Sequence, residues 1–263
     1  MRYKLQSIAA VAALALGCAT ANAALTFDQN VTPGVIFGSG NANGGFTVDS
    51  NNGIELGLRG KLRHDATGQP QNTFNSNGDG TYSFAAGVAP TQSSPTAVWS
   101  VEFSINTNAS GTTGLALNQL TYAFGFDSNP TQGTSFTSID VINGGNPGLG
   151  GALYWDHAMG TNSTVQGSGN KSVDVADYAN DIATFNVAQN SQKAHWLLGA
   201  GFDPTVDGTY DFYLAAFRGG NEVARSQIQI IVGQGGTAVV PEPGSLALMG
   251  LALAGLVGFR RRR

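Results

Sequence analysis

Apolar and polar side chains alternate in several short stretches between residues 25 and 233. In residues 54–63, positions 54, 56, 58 and 62 are apolar, whereas positions 55, 59, 61 and 63 are charged. A period of two places alternate side chains on opposite faces of a β-strand, so each stretch predicts a strand with one face toward a core. By the same argument, one core-facing row is expected to contain Trp99, Val101, Phe103 and Ile105.

Clusters of Gly, Asn and Ser separate the alternating stretches and predict turns. The sequence Arg218-Gly219-Gly220-Asn221 lies between two long alternating stretches, which predicts a β-hairpin. Residues 173–185 and 189–198 each predict at most a short helix. Antiparallel sheets with one solvated face explain this pattern. We therefore predict an all-β protein with a single antiparallel body, a β-sandwich or jelly-roll-like fold of roughly ten strands.

Composition agrees with a turn-rich exported protein and excludes several classes. Only 11% of the 263 residues are charged, and 37 are glycine, which argues against helical bundles and against charge-driven disorder. Residues 24–240 contain seven basic and sixteen acidic residues, a net charge of −9. Such a body repels phosphate backbones, so we expect no nucleic-acid partner.

The N-terminus predicts a secretory signal peptide over residues 1–23. Two basic residues precede an apolar run at 8–16, and small residues lead to a signal peptidase site between Ala23 and Ala24. The alternatives are an N-terminal membrane anchor and lipidation at Cys18. Cleavage after Ala23 would remove Cys18, the only cysteine, so that the mature chain would have neither disulfides nor thiolate metal ligands.

The C-terminus has three consecutive parts. A proline-flanked glutamate breaks any helix, an apolar run follows at 246–259, and four arginines end the chain. We predict a short transmembrane helix over about 245–260 whose arginines stay in the cytoplasm, which places the body outside the inner membrane. The residues that define the outer two parts are Pro241, Glu242 and Pro243, and then Arg260, Arg261, Arg262 and Arg263.

This three-part tail closely resembles the PEP-CTERM sorting signal of exported bacterial proteins, a tail also labelled as an ice-binding-protein C-terminal domain. The resemblance implies that a membrane protease-transpeptidase, the exosortase, processes the chain near the proline-flanked glutamate. It also implies a Gram-negative, exopolysaccharide-producing and biofilm-forming host. The processed protein would then lie on the cell surface or in the extracellular matrix. An ordinary tail anchor is the alternative.

The predicted organisation has four segments. Residues 1–23 are the signal peptide, and residues 24–232 form the β ectodomain. Residues 233–240 are a linker with few contacts to the body, and residues 241–263 are the sorting signal.

Three aromatic residues are the candidates for sugar binding: Tyr154, Trp155 and Trp196. The loop Asn75–Gly80 spaces oxygen-bearing side chains like a calcium loop but lacks the closing glutamate, so it favours a plain turn and leaves calcium open. Neither His64-Asp65 nor Asp156-His157 predicts a catalytic pair, because sequence neighbours on a strand point to opposite faces.

We therefore expect a non-enzymatic surface or matrix protein without cofactor or metal, associated with exopolysaccharide. The first alternative is a carbohydrate-binding module. An ice-binding protein and a secreted glycoside hydrolase are further alternatives, which would need a regular threonine array and a pair of carboxylates beside sugar-stacking rings, respectively.

Overall fold

The computed structural model describes residues 24–236, which contain eleven strands and two short α-helices. The predicted signal peptide, proline-flanked glutamate, C-terminal helix and arginine cluster lie outside the described residues. Within 24–236, the helices are all too short or too polar to span a lipid bilayer.

The strands form two sheets, so the all-β prediction is confirmed. The first sheet is antiparallel, and its order is β1 (Thr26–Gln29), β2 (Phe46–Asn51), β3 (Ile54–Leu62), β5 (Trp99–Asn106), β9 (Val187–Lys193) and β8 (Ala158–Gly160). The second sheet has the order β4 (Thr81–Phe84), β11 (Asn221–Val232), β10 (Gly208–Arg218), β6 (Thr121–Asp127) and β7 (Phe136–Ile139). It is mixed, because β4 runs parallel to β11, so the prediction of an entirely antiparallel body is wrong for this pair of strands.

The apolar faces of the two sheets meet in one core. The ring of Phe103 on β5 lies 5.8 Å from that of Phe124 on β6. The ring of Trp99 lies 5.9 Å from Tyr210 and 6.3 Å from Phe212, both on β10. All four members of the predicted β5 row are at most 1% exposed, so the phase assigned to this strand is confirmed.

The second face of the first sheet is not solvated, contrary to the expectation from alternation. Arg59 on β3 is completely buried, because the segment between β1 and β2 folds back over this face. Gln189 on β9 holds the segment by accepting a hydrogen bond from the backbone of Ile36 (2.8 Å) and donating one to Gly34 O (2.7 Å). Apolar side chains of the segment are buried there in a small cluster, and their burial stabilises the segment in its position over the sheet.

The hairpin prediction is confirmed. Strands β10 and β11 pair along their length and are joined by Gly219 and Gly220, with φ angles of 58° and 82°. Positive φ at both central residues is the geometry that matches the twist of a two-residue hairpin.

The helix predictions are confirmed. The helix α1 (Val175–Thr184) begins at Asp174, whose side chain accepts a hydrogen bond from the backbone of Asp177. The short helix expected within residues 189–198 is α2 (Ala194–Leu198), and the residues before it belong to strand β9 because they pair with β5.

The predicted linker begins with residues that contact the body. The backbone of Gly233 donates to Phe84 O (2.9 Å), and the backbone of Gly236 donates to Thr209 Oγ1 (2.8 Å). The expectation of few contacts is therefore wrong for residues 233–236, because the chain continues along the end of the second sheet after β11 ends.

Candidate functional site

A cleft of about 730 Å³ opens at the edge of the core, between β9 and α2 on one side and β6 and β7 on the other. The loop between β7 and β8 forms its third wall. We call it the aromatic cleft, and its defining residues are Phe126, Leu149, Tyr154, Trp155, His157 and Trp196. All three aromatic residues predicted from the sequence as sugar-binding candidates therefore line one cavity.

Two of these three side chains, those of Trp155 and Tyr154, form part of the wall of the aromatic cleft. Trp155 is only 8% exposed, and its Nε1 donates to Gly144 O at 3.1 Å. Tyr154 donates its hydroxyl to Ser172 O at 2.9 Å. Because both polar atoms are satisfied within the protein, these rings are held in place and present limited surface to a ligand.

Trp196 is the exposed ring of the site. It lies on α2 at the rim of the cleft, with 56% of its surface exposed. The Nζ atom of Lys193 is 5.4 Å from the centre of its ring. An exposed indole with a neighbouring cation offers a stacking surface for a flat apolar ring face.

His157 lies at the bottom of the cleft and is fixed as a neutral imidazole. Its Nε2 donates to Val141 O at 2.7 Å, and its Nδ1 accepts from Asn190 Nδ2 at 3.0 Å. Complete burial lowers the pKa of His157 to about 4. The exposed carboxylate of Asp156 accepts a hydrogen bond from the same Asn190 amide at 3.0 Å and contacts neither ring nitrogen. The two neighbours therefore form no acid–base pair.

A second cavity of about 490 Å³ adjoins the aromatic cleft on the other side of Asp156 and Trp196, which line both. Its walls come from β3, β5 and β9 and from the segments that cover them. We call it the charged groove, and its defining residues are Lys61, Arg63, His64, Glu102 and Lys171, together with the two shared ones.

The charges in this groove are unequally compensated. Glu102 is 1% exposed and lies 2.6 Å from Arg59 Nη2 and 3.6 Å from Lys61 Nζ. The guanidinium of Arg63 donates to the hydroxyl of Ser191 at 2.8 Å. Among residues 24–236, Arg63 makes no ion pair, and neither does Lys171. Burial lowers the pKa values of Lys61 and Arg63, because no anion fully offsets their desolvation.

The two remaining candidate sites from the sequence, the loop Asn75–Gly80 and the pair His64-Asp65, lie in local turns. In the loop Asn75–Gly80 the only carboxylate, that of Asp79, accepts hydrogen bonds from the backbone and hydroxyl of Thr81. Asp65 binds the turn that follows it, which lowers its pKa to about 2, while His64 Nδ1 lies 3.2 Å from Gly68 O. Within the described part of the chain, no group of three or more His, Cys, Asp or Glu side chains could hold a metal ion.

Sequence reasoning missed the charged groove. Lys61 and Arg63 were assigned to a solvated strand face, although their alternation with Leu62 was recognised. Lys171 is contributed by a distant loop, so its proximity has no signal in local periodicity. The uneven distribution of the few basic residues along the chain was the only feature of the sequence that pointed to a cluster of cations.

Comparison with known proteins gives one match, outside the body. Residues 239–263 match the family described as the PEP-CTERM protein-sorting motif, which confirms the resemblance inferred from the tail. No curated protein and no solved structure matches the chain.

Proposed function

We propose that this chain, which carries the PEP-CTERM sorting motif of exosortase-targeted exported proteins, is a non-enzymatic surface or extracellular-matrix protein associated with exopolysaccharide. The observation that supports export and processing is the match over residues 239–263. In this proposal residues 1–23 direct export, and the helix at about 245–260 holds the precursor in the inner membrane. The β body is the part that reaches the cell surface or matrix.

The tail performs its role through three physical properties. Because proline disfavours a helix at its own position and at the preceding one, we expect the segment around Glu242 to be extended when a membrane-embedded protease binds it. The short apolar run keeps this segment close to the membrane surface. The terminal arginines hold the orientation, because moving charges through the hydrocarbon layer is costly.

Replacing Pro241, Glu242 and Pro243 together by Ala tests the processing step. The variant is expected to be exported and membrane-held but uncut, which immunoblots of membrane, surface and medium fractions would show as a retained precursor. Thr237→Ala, just outside the matched residues, is the control and should be cut normally. Deleting the four arginines should instead release uncut protein. Normal cutting of both altered tails would overturn the sorting proposal.

The exposed ring of Trp196 beside the aromatic cleft supports association with sugars. An indole face can stack against the apolar face of a pyranose, and the cleft volume of about 730 Å³ is within the range of ligand sites, about 300–1,000 Å³. Asp156 is the only carboxylate among the described residues that line this cleft. Glycoside hydrolysis uses a pair of carboxylates, so the cleft favours binding over cleavage.

The second candidate function, a dedicated carbohydrate-binding module, rests on the convergence of Tyr154, Trp155 and Trp196 in one cavity. Trp196→Ala is expected to weaken binding of the host's exopolysaccharide about tenfold through loss of the stacking surface. Phe136→Ala removes an exposed aromatic ring from β7 that lines neither cavity and serves as the control. Affinity electrophoresis in gels containing the polysaccharide measures both, and equal mobility of all three proteins would exclude this site.

A further inference from the structure

Most of the few cations of the acidic body lie in one region. Residues 24–240 contain seven basic residues. Three of them, Lys61, Arg63 and Lys171, line the charged groove. Arg59 lies beneath it through its contact with Glu102, and Lys193 lies against the ring of Trp196. The remaining two, Arg218 and Arg225, are on the β10–β11 hairpin.

The groove presents more positive charge than its own carboxylates balance. Glu102 is paired with Arg59 and Lys61, which leaves the cations of Arg63 and Lys171 without a carboxylate partner among the described residues. The buried Nε2 atom of His64 also has no hydrogen-bond partner in residues 24–236, and since Nδ1 donates to Gly68 O, Nε2 of the neutral ring can accept a hydrogen bond from a ligand hydroxyl. A partly buried groove with unpaired cations is stabilised by an anionic oxygen that binds there.

We infer that the charged groove binds an acidic sugar of the polysaccharide, with the carboxylate or sulfate group at Arg63 and Lys171 and the sugar ring against Trp196. This inference rests on the proposed association with exopolysaccharide and specifies its chemistry. The groove volume of about 490 Å³ is sufficient for a small ligand.

An acidic sugar fits this juxtaposition better than other anions. A free inorganic anion would not use the exposed indole, and a nucleic acid would be repelled by the net charge of −9. Asp156 lies on the boundary between the groove and the aromatic cleft. Its carboxylate can accept hydrogen bonds from sugar hydroxyls but repels a second acidic group. The neighbouring cleft would then receive an uncharged part of the same polymer.

The experiment measures how tightly matched polymers bind to the full exported chain, which is purified in detergent. Polygalacturonate is compared with the same polymer after reduction of its carboxyl groups to alcohols, and dextran sulfate is compared with dextran. The acidic member of a pair is expected to bind at least about tenfold more tightly, and this preference should weaken with added salt. The pair that shows the larger preference identifies carboxylate or sulfate as the recognised group.

Single substitutions assign the preference to the groove. Lys171→Ala removes an exposed cation from a loop and is expected to weaken binding of the acidic polymer about three- to tenfold without affecting the neutral one. Arg63→Gln should act in the same direction. Arg218→Ala, a basic residue that lines neither cavity, is the control. Trp196→Ala should weaken binding of both polymers, and circular dichroism verifies that each variant is folded.

Each adverse outcome has a distinct meaning. Equal affinity for the acidic and neutral polymers would overturn the acidic preference while association with polysaccharide would stand. An equal loss in Arg218→Ala and Lys171→Ala would show diffuse charge attraction and would also overturn it. If neither these polymers nor the host's exopolysaccharide bound, the proposed association would fail as well, whereas processing of the tail would be unaffected.

Discussion

Arg59 joins the first sheet to the segment that covers it. Its guanidinium is completely buried between the rings of Phe46 and Phe74, whose centres are 4.1 and 4.0 Å away. Nε donates to Glu102 Oε2 at 2.7 Å, Nη2 lies 2.6 Å from the same oxygen as an ion pair without hydrogen-bond geometry, and Nη1 donates to Ala42 O at 3.0 Å. A planar cation with five donors suits this position, because it binds a carboxylate and stacks on rings at once.

Arg59→Met is expected to lower the free energy of unfolding by about 3–5 kcal/mol, because it leaves the carboxylate of Glu102 buried with a weakened counter-charge. Urea unfolding followed by tryptophan fluorescence measures the loss. The double variant Arg59→Met with Glu102→Gln should be less destabilised than the sum of the two single variants, because the unpaired charge is absent. A fully additive result would contradict the assigned pairing.

The lowered pKa of His157 is expected to make the protein less stable in mild acid. Its pKa of about 4 in the folded protein lies below its ordinary value of 6.5, so between these values the unfolded chain binds a proton that the folded protein does not. Stability therefore falls as the pH falls through this window, by about 3 kcal/mol in total for this group.

The matched measurement is urea unfolding of the native protein and of His157→Gln at pH 7 and pH 4.5. A comparison is needed because burial raises the pKa values of Asp49 and Glu55, which stabilises the fold in acid and acts in the opposite direction. The native protein should lose more stability between the two pH values than the variant does. An identical loss in both would show that His157 is not the titrating group.

The second sheet approaches strand β3 closely at Gly60. Gly60 lies on the inner face of this strand, where a Cβ atom would be 2.8 Å from both Ile230 Cδ1 and Phe84 Cε2. Such distances are shorter than side-chain packing permits, so the approach of β4 and β11 to β3 requires a glycine here.

Gly60→Val is therefore expected to destabilise the protein by about 1–3 kcal/mol through overpacking, although valine has the higher strand propensity. Gly201→Ala is the control, because no atom lies within 4 Å of the added Cβ. Thermal unfolding of both variants measures the effect. A more stable Gly60→Val variant would mean that the sheets can separate without cost.

The two ends of the described chain complete the β body. One end covers the first sheet, and the strand near the other end contacts β2 of that sheet. Residues 24–45 cover the outer face of the first sheet through the apolar cluster that includes Val35 and Ile36. Strand β11, near the other end, contacts β2 directly, with Ser226 Oγ donating to Thr47 O at 2.7 Å.

A chain of residues 24–236 is therefore expected to unfold in one cooperative thermal transition, whereas a chain of residues 46–236 should not. Removing residues 24–45 exposes several buried aliphatic side chains, each contributing about 1.5–3 kcal/mol, a total comparable with the whole stability of a domain. Calorimetry and binding of a hydrophobic dye distinguish the two. Cooperative unfolding of the shorter chain would show that the covering segment is dispensable.

Local features of the sequence were sufficient for strands such as β3 and β5 and for the sorting signal. The alternation around Phe103 and Leu58 predicted both the strand and its buried face, because the period of two is a property of the extended backbone alone. The match at residues 239–263 was predictable for a similar reason. A sorting signal is recognised as a short linear segment, so all its information lies in neighbouring residues.

The candidate site depends on contacts between distant parts of the chain. Tyr154, Trp155 and Trp196 were proposed as sugar-binding residues without any means of predicting that they line one cleft. The burial of Arg59 was not predicted, and neither was the placement of Arg63 and Lys171 around one groove. Alternation shows that a strand has two faces but not what covers the second one. That depends on which segments gain more by burying their apolar side chains against it than they lose in chain entropy.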